Sequence, residues 1–440
     1  MNHLSKKELI LLSFMLFSMF FGAGNLIFPA FLGRSSGSEI TASVVGFIIS
    51  AVGLPILGVM AIAKTGNLDT LSRRVHPLFA FIFPFAIYVS IGPALAIPRA
   101  GTIAYEMGMK PFISETLATK PVTLIVYTII FFSLVLWLSL SPSKLVDRFG
   151  KLLTPTLLCL IAIIFVKSLL TPMGSFIAPS NAYRSHPFFK GFSDGYLTMD
   201  ALASLAFGIV VATTIRVKGI TDSKKMSQYM IIAGLGAGTL LATIYCILGY
   251  LGASSAALGK AGNGAEVLTM VMNALFGQIG IVMLGILFTL ACLCVSIGLV
   301  ISCSQYFSNA LPVLPYKAWA VVLTIFSVII ANLGLNQILA ISVPILGLLY
   351  PIAVVLIVLG LWDHYLNHIP SVYFMSTLFT SIFSLADTIN KTFLSGAWDS
   401  ILGSFPLYAE GIGWLLPCVI GTALGLCVGK LKSIYKQKLA

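Results

Sequence analysis

Residues 17–29 read FSMFFGAGNLIFP, the most informative stretch of the chain for its fold. Within it, Gly22-Ala23-Gly24-Asn25 interrupts a long apolar run near its middle. A helix in lipid must pair its backbone groups internally, because lipid offers no other partner. Two glycines and an asparagine lower the cost of leaving helical geometry there. The freed N–H and C=O groups can bind a small charged solute and a cation. The stretch therefore predicts a binding site at mid-membrane depth, in a broken helix.

The composition places the whole chain in a lipid bilayer. Of its 440 residues, 58% are hydrophobic and only 9% are charged, whereas an average soluble domain is about 25% charged. The net charge of +12 lies at the ends of apolar runs, which indicates a topology signal and not a nucleic-acid surface. All seven cysteines fall in apolar runs, where they are expected to pack as small hydrophobic residues.

A membrane-spanning helix needs about 20 apolar residues. On that criterion we predict an all-α polytopic membrane protein with about twelve transmembrane helices. The predicted spans are 8–32, 40–63, 77–105, 121–140, 149–170, 195–215, 227–251, 278–307, 317–333, 337–361, 371–387 and 411–429. The third span contains Pro84, Pro93 and Pro98, so we expect it to be kinked.

The lysines and arginines predict the orientation. Most of the 26 lie at one set of span ends, including Lys6, Lys7, Arg73, Arg74 and the C-terminal tail. Since cytoplasmic loops are enriched in these residues, this set is predicted to be cytoplasmic, and both termini with it.

The sixth predicted span contains the stretch DALASLAFG, from Asp200 to Gly208, and a second candidate break lies about one turn after Asp200, toward Phe207-Gly208. Small residues at helical spacing more often indicate tight helix packing. If spans one to five and six to ten are two repeats, however, spans one and six occupy corresponding places. Interrupted helices at corresponding places are the best sequence indication of a transporter site. We therefore predict repeats over 1–170 and 171–365, followed by two helices and a tail over 366–440.

Four stretches of the sequence resemble those of a known protein family. They are FFGAGNLIFP (20–29), IGPALAIPRAG (91–101), MDALASLAFG (199–208) and ACLCVSIGL (291–299). Through them the whole chain resembles the bacterial branched-chain amino acid:cation symporter family. Its first and sixth spans are also similar to the broken helices of LeuT-type symporters. The resemblance implies a LeuT-type 5+5 inverted repeat with helices 1 and 6 broken, plus two extra C-terminal helices. It also implies uptake of leucine, isoleucine or valine across the bacterial cytoplasmic membrane, coupled to sodium or lithium, by alternating access.

An amino acid presents a carboxylate, an ammonium group and a side chain. Amides at a half-helix N-terminus suit the carboxylate, and backbone carbonyls or a hydroxyl suit the ammonium group. Neither predicted break contains an acidic residue, so an aliphatic side chain fits better than a basic one. Phe207 is the predicted apolar wall. The predicted substrate-binding residues are Phe20, Ala23, Gly24, Asn25, Ala203, Ser204 and Phe207.

The coupling ion is predicted from the LeuT-type resemblance. It implies a sodium site between the first and eighth helices, built from carbonyls of Ser18, Phe21 and Cys292 and the hydroxyl of Ser296. Val295 stands where a second hydroxyl would be, and hard cations prefer oxygen ligands, so the site is weakened or altered. We expect one monovalent coupling ion and no organic cofactor.

Proton coupling is the main alternative. Proton-coupled relatives carry a lysine within helix five, whereas Lys151 and Lys167 lie near its ends, which favours sodium or lithium. A proton-coupled transporter of another small neutral amino acid or amine stays open. Asp200 and Arg99 are candidates for gating or coupling, and a pairing between them is one possibility.

An enzyme is not expected. It would need paired carboxylates, a metal cluster or a nucleophile with a base, yet the five histidines all lie in tails or connections. His364 and His368 beside Asp363 are the nearest approach to a metal pair. A channel would need a filter or charged ring, and none is recognisable.

Overall fold

A computed structural model describes residues 3–118, 120–142, 146–363 and 369–439. His364 and His368 lie outside the described residues. The helices are α1 Lys6–Phe20, α2 Ala23–Ser36, α3 Ile40–Ile48, α4 Leu54–Thr65, α5 Leu68–Arg73, α6 Pro77–Val89, α7 Ala96–Gly108, α8 Glu115–Ala118, α9 Pro121–Ser139, α10 Thr154–Leu170, α11 Asn181–Ser185, α12 Pro187–Gly195, α13 Asp200–Val217, α14 Ser223–Ser254, α15 Gly264–Phe276, α16 Gln278–Ala310, α17 Tyr316–Ala331, α18 Leu335–Trp362, α19 Pro370–Phe393, α20 Asp399–Leu402 and α21 Leu415–Leu439.

The first span is broken, as predicted. α1 ends at Phe20 and α2 begins at Ala23, with Phe21 and Gly22 in extended conformations between them. The Gly22 N–H donates to the Asn25 Oδ1 atom at 3.1 Å, so the asparagine side chain holds the turn. Most of the predicted tetrapeptide therefore forms the first turn of α2, and the break itself lies at Phe21-Gly22.

The sixth span is also broken, but the predicted position of the break is wrong. α12 is followed by a single 3₁₀ turn, Tyr196–Thr198, and by Met199 with a left-handed φ of 68°. α13 then runs unbroken through the DALASLAFG stretch. Its small residues serve helix packing instead: a Cβ atom on Gly58 of α4 would lie 1.9 Å from the Ser204 Oγ atom.

The third span is kinked, as its prolines predict. A π-helical segment, Ser90–Ala94, separates α6 from α7, and Gly92 within it has a non-helical ψ of −122°. A second π-helical segment, Ile49–Gly53, joins α3 to α4. A third, Val146–Leu153, precedes α10. The kink at Gly92 turns the start of α7 toward the two helix breaks.

Among the described residues, nine helical segments are long and apolar enough to cross a membrane, and shorter apolar helices follow α14, α16 and the 394–414 segment. Helical structure covers each of the predicted spans, which confirms the all-helical membrane architecture. The exact number of crossings stays a prediction, as do the repeat boundaries.

α2 and α14 pack with their backbones in direct contact. A Cβ atom on Gly33 would lie 1.9 Å from the Gly249 carbonyl oxygen, and one on Gly252 would lie 1.9 Å from that of Ala30. Any side chain at Gly33 would separate the two helices, so small residues are required here. The contact fixes α14, which carries Tyr245, against the second half of the first span.

Candidate substrate site at the two helix breaks

A cavity lies where the two helix breaks meet. Its volume is about 30 Å³, which is room for only one or two water molecules, so a larger ligand requires the walls to move apart. The first and second breaks, the kinked third span and α16 all contribute to its walls. The residues that line it are Met19, Phe20, Gly22, Ala23, Gly24, Asn25, Ile91, Ala96, Arg99, Ala100, Thr198, Met199, Asp200, Ala203, Val295 and Leu299.

The N-terminus of α2 gives one end of the cavity a positive character. The first amides of a helix have no partner within it, and the helix dipole adds a partial positive charge. The Arg99 guanidinium lies at the same end, since its Nη2 atom is 3.5 Å from the position a Cβ on Gly24 would take. This end of the cavity is suited to a carboxylate.

Arg99 is buried, with 7% of its surface exposed. Its Nη1 atom donates to the Leu197 carbonyl at 3.3 Å, in the 3₁₀ turn of the second break. Within the described part of the chain, no carboxylate oxygen lies within 4.0 Å of its nitrogens. Because a buried charge normally has a charged partner, Arg99 is a cation that lacks a close counterion.

Asp200 supplies the opposite charge. It is 3% exposed and is the first residue of α13. Its Oδ2 atom accepts hydrogen bonds from Asn25 Nδ2 at 2.5 Å and from the Tyr245 hydroxyl at 3.2 Å. The expectation that neither break contains an acidic residue is therefore wrong, because the second break ends at Asp200 and not one turn after it. The suggested ion pair between Asp200 and Arg99 does not form.

The remaining walls are apolar. Met19, Phe20, Ile91, Val295 and Leu299 surround the space between the two charged groups. They offer favourable contact to an aliphatic side chain and no partner for a second charge.

The predicted substrate residues divide into two groups. Phe20, Ala23, Gly24, Asn25 and Ala203 line the cavity.

Ser204 and Phe207 do not line it. The Ser204 hydroxyl donates to the Ala201 carbonyl at 2.7 Å within α13. Phe207 is fully buried and packs against Phe20, with ring centroids 5.3 Å apart. Phe207 therefore supports the wall that Phe20 forms.

The four predicted ion ligands lie behind the cavity wall and not on it. Ser18, Phe21, Cys292 and Ser296 are all fully buried. The Cys292 thiol lies beside the Ala23 N–H, so this part of α16 adjoins the first break.

Two oxygen atoms of this set are suited to a cation. The Ser18 carbonyl belongs to the last turn of α1, where carbonyls lack helical partners and the dipole is negative. The Ser296 hydroxyl is buried and has no hydrogen-bond partner within the described part of the chain. The Ser18 hydroxyl, in contrast, is already paired with Thr154 Oγ1 at 2.5 Å.

Sequence reasoning missed several site residues. Tyr245 is one of several hydroxyl residues in its span, beside Thr239, Thr243 and Tyr250, and nothing in the sequence indicates that it is the one that meets Asp200. Thr198 and Met199 line the cavity but are not among the predicted residues, because the predicted second break lies later in the chain than the observed one. Val295 and Leu299 belong to the family-like stretch ACLCVSIGL, whose sequence does not indicate that they are cavity walls.

Solved structures share this architecture. The chain is similar to MhsT in complex with L-phenylalanine, with a TM-score of 0.54 at 16% identity, over 97% of this chain and 98% of that one. It is also similar to Mhp1, a nucleobase-cation-symport-1 family transporter, with a TM-score of 0.59 at 12% identity, over 96% and 93%. These likenesses establish the LeuT-type fold. The fold class, with helices 1 and 6 broken, is confirmed.

Sequence relatives define the family. The family model for branched-chain amino acid transport proteins matches residues 5–432. The chain is 46% identical to the branched-chain amino acid permease BraB of Bacillus subtilis, over 97% of this chain and 96% of that protein. It is 39% identical to the branched-chain amino acid transport system 2 carrier protein of Pseudomonas aeruginosa, over the full length of both. The chain belongs to the branched-chain amino acid transport protein family. It is a multi-pass membrane transporter and not an enzyme.

Proposed function

We propose that this protein takes up leucine, isoleucine and valine by alternating access, driven by a sodium or lithium gradient. The observation that carries the proposal is the cavity at the two breaks, where buried Arg99 and Asp200 face one apolar space without pairing to each other. A zwitterion with an aliphatic side chain complements both charges and the walls at once.

The expected pose follows from the charges. The substrate carboxylate lies at the N-terminus of α2, between the Gly24 amide and the Arg99 guanidinium. The ammonium group lies at Asp200, whose Oδ2 is already held by Asn25 and Tyr245. The aliphatic side chain then contacts the apolar walls. One carboxylate serves one ammonium group, so a lysine side chain would remain unpaired.

The coupling cation is proposed to bind behind the first break. The carbonyls of Ser18 and Phe21 and the hydroxyl of Ser296 are hard oxygen donors. A bound monovalent cation supplies positive charge at the end of α1, opposite the negative end of its dipole. That charge stabilises the arrangement of α1 and α2 around the first break that forms the substrate cavity. Ion binding and substrate binding therefore favour each other.

Alternating access is proposed to use the breaks as hinges. Phe21-Gly22 and Tyr196–Met199 separate each broken span into two half-helices, and a few non-helical residues are enough to absorb a rigid-body rotation. Asn25 bonded to Asp200 couples the two broken spans, so they are expected to move together.

The location follows from the family and the charge pattern. We propose the bacterial cytoplasmic membrane, with both termini in the cytoplasm. At the proposed cytoplasmic end, Lys218 of the α13 end pairs with Glu8 of α1 at 3.2 Å. This ion pair would close the inner side between the same two spans.

Uptake of labelled leucine into proteoliposomes tests the proposal. A sodium or lithium gradient imposed without a proton gradient should drive accumulation above equilibrium. Accumulation driven by a proton gradient alone would favour the proton-coupled alternative. Leucine entry without counterflow of preloaded leucine would indicate a pore and contradict alternating access.

A further inference from the structure

The cavity at the two breaks is smaller than its proposed substrate. Its volume of about 30 Å³ is room for one or two water molecules, whereas the side chain of leucine is several times larger than a water molecule. Part of the wall must therefore move when the substrate binds. The part that moves determines which side chains the site accepts.

Much of the apolar wall is held in place by its packing. Val295 packs tightly against the first break, because a Cβ atom on Gly22 would lie 2.9 Å from the Val295 Cγ1 atom. The Phe20 ring packs edge-on against Phe207, with ring centroids 5.3 Å apart. Ile91 is β-branched and 1% exposed, so its side chain has little rotational freedom. These side chains stay where they are unless the backbone itself shifts.

Met19 is held less firmly. It is the penultimate residue of α1, lines the cavity and is fully buried. A methionine side chain is unbranched and adapts to the space around it, so Met19 can change its rotamer without a movement of α1. Met199 is a second methionine on the cavity, but it belongs to the turn of the second break. Met19, in contrast, lies against a glycine of a facing helix.

That glycine is Gly298 of α16, and it sets how close Met19 lies to this helix. The three nearest neighbours of a Cβ atom on Gly298 would all be Met19 atoms: Cγ at 3.0 Å, Cβ at 3.3 Å and Cε at 3.4 Å. The methionine side chain therefore lies directly on the glycine backbone. An added methyl group would push Met19 away from α16, since a flexible side chain yields more easily than two helix backbones.

A displaced Met19 side chain would enter the cavity. Met19 is fully buried and so has no solvent to move into. The free space that it borders is the cavity, whose wall on the α16 side contains Val295 and Leu299. Gly298 is not among the residues that line the cavity. It nevertheless controls, through Met19, the volume that is left for the substrate side chain.

We propose that Met19 and Gly298 together determine the size of the side chain that the transport site accepts. Met19 is the adjustable wall against the substrate side chain, and Gly298 lets this wall stand back far enough for leucine and isoleucine. The proposal rests on the proposed function, which supplies the substrate class. An adjustable wall lets one cavity bind valine and leucine, whose side chains differ by one methylene group.

Displacement of labelled valine from the purified full-length protein by unlabelled amino acids, with sodium present, tests this pair. Gly298→Ala should raise the preference for valine over leucine at least fivefold, because Met19 then occupies the room of the additional methylene. One methylene in an apolar pocket changes specificity by about 10–200-fold, so the expected shift lies within the known range. The ratio of the two inhibition constants does not depend on how much of the protein is folded.

Met19→Ala should act in the opposite direction. It removes the wall, so phenylalanine should gain at least tenfold relative to leucine. The double variant with Gly298→Ala should keep the valine-to-leucine preference of Met19→Ala alone, because the added methyl group has no methionine left to displace. Gly360→Ala on α18 is the matched control: a Cβ atom there would lie 3.0 Å from Leu71 Cδ1, but neither residue lines the cavity. It should leave these preferences unchanged.

The size-selection proposal and the proposed function can fail separately. A valine-to-leucine ratio in Gly298→Ala within twofold of that in Gly360→Ala would overturn the role of this pair and leave the transport site standing. The same shift in Gly298→Ala with and without Met19 would also overturn it, because the glycine would then act without the methionine. If Gly298→Ala does not fold, continued exclusion of phenylalanine by Met19→Ala overturns the proposal alone. No displacement of valine by leucine in wild type would contradict the proposed function itself.

Discussion

The Asn25 Nδ2 atom donates to the Asp200 Oδ2 atom at 2.5 Å, and both residues are almost fully buried. The contact joins the first turn of α2 to the first turn of α13, that is, the two half-helices that follow the two breaks. Asn25 also accepts from the Gly22 N–H. One asparagine therefore holds the first break in shape and orients the carboxylate at the second.

Asn25→Asp should make uptake depend on pH. It places a second carboxylate beside Asp200, and two buried carboxylates at this distance cannot both be ionised. Protonating one of them restores the donor that Asn25 provides. The rate of leucine uptake, relative to wild type, should therefore rise as the pH falls from about 8 to about 5. A ratio that is flat over this range would mean that Asn25 and Asp200 do not interact during transport.

Gly24→Ala should reduce leucine uptake at least tenfold. The added Cβ would lie 3.1 Å from the Phe28 ring and 3.5 Å from Arg99 Nη2, where the substrate carboxylate is proposed to bind. Gly24→Val should abolish uptake. The matched control is Gly234→Ala on α14, where the nearest atom is Val59 Cγ1 at 3.5 Å. Normal transport by a well-expressed Gly24→Val variant would remove this end of the cavity from the substrate site.

Ser296→Ala should raise the sodium concentration for half-maximal uptake at least fivefold and leave the preference among aliphatic substrates unchanged. The hydroxyl has no protein partner within the described part of the chain, so its loss should cost little folding free energy. Ser304→Ala is the control, because the Ser304 hydroxyl donates to the Val300 carbonyl of its own helix at 2.6 Å. Equal sodium dependence in both variants would place the ion site elsewhere.

Competition with unlabelled amino acids should rank leucine, isoleucine and valine far above alanine, lysine and glutamate. Alanine loses apolar contact worth about 1–3 kcal/mol, and the two charged side chains lack a partner. Phe207→Ala should weaken leucine binding, because Phe20 then loses the ring that supports it. Inhibition by lysine as strong as by leucine would mean that Asp200 faces the side chain of the substrate.

The first break could be predicted from sequence because the signal is local. Gly22, Gly24 and Asn25 disfavour helix wherever they stand together. The position of the second break could not be predicted from sequence. The DALASLAFG residues are compatible with a continuous helix, and the turn before them depends on the left-handed φ of Met199. Tertiary packing imposes that conformation. Because the predicted break lies after Asp200 and the observed one lies before it, the sequence does not show that Asp200 faces the cavity. No local pattern indicates that Tyr245 reaches Asp200.

In the proposed site, Asp200 binds the substrate ammonium group and Arg99 binds its carboxylate. Binding of leucine, 4-methylpentanoate and 3-methylbutylamine to wild type and Asp200→Asn tests it most directly, since the two analogues lack the ammonium group and the carboxylate respectively. We expect Asp200→Asn to weaken leucine and the amine about 100-fold, near 3 kcal/mol, and 4-methylpentanoate less than threefold. Equal weakening of all three ligands would contradict the claim.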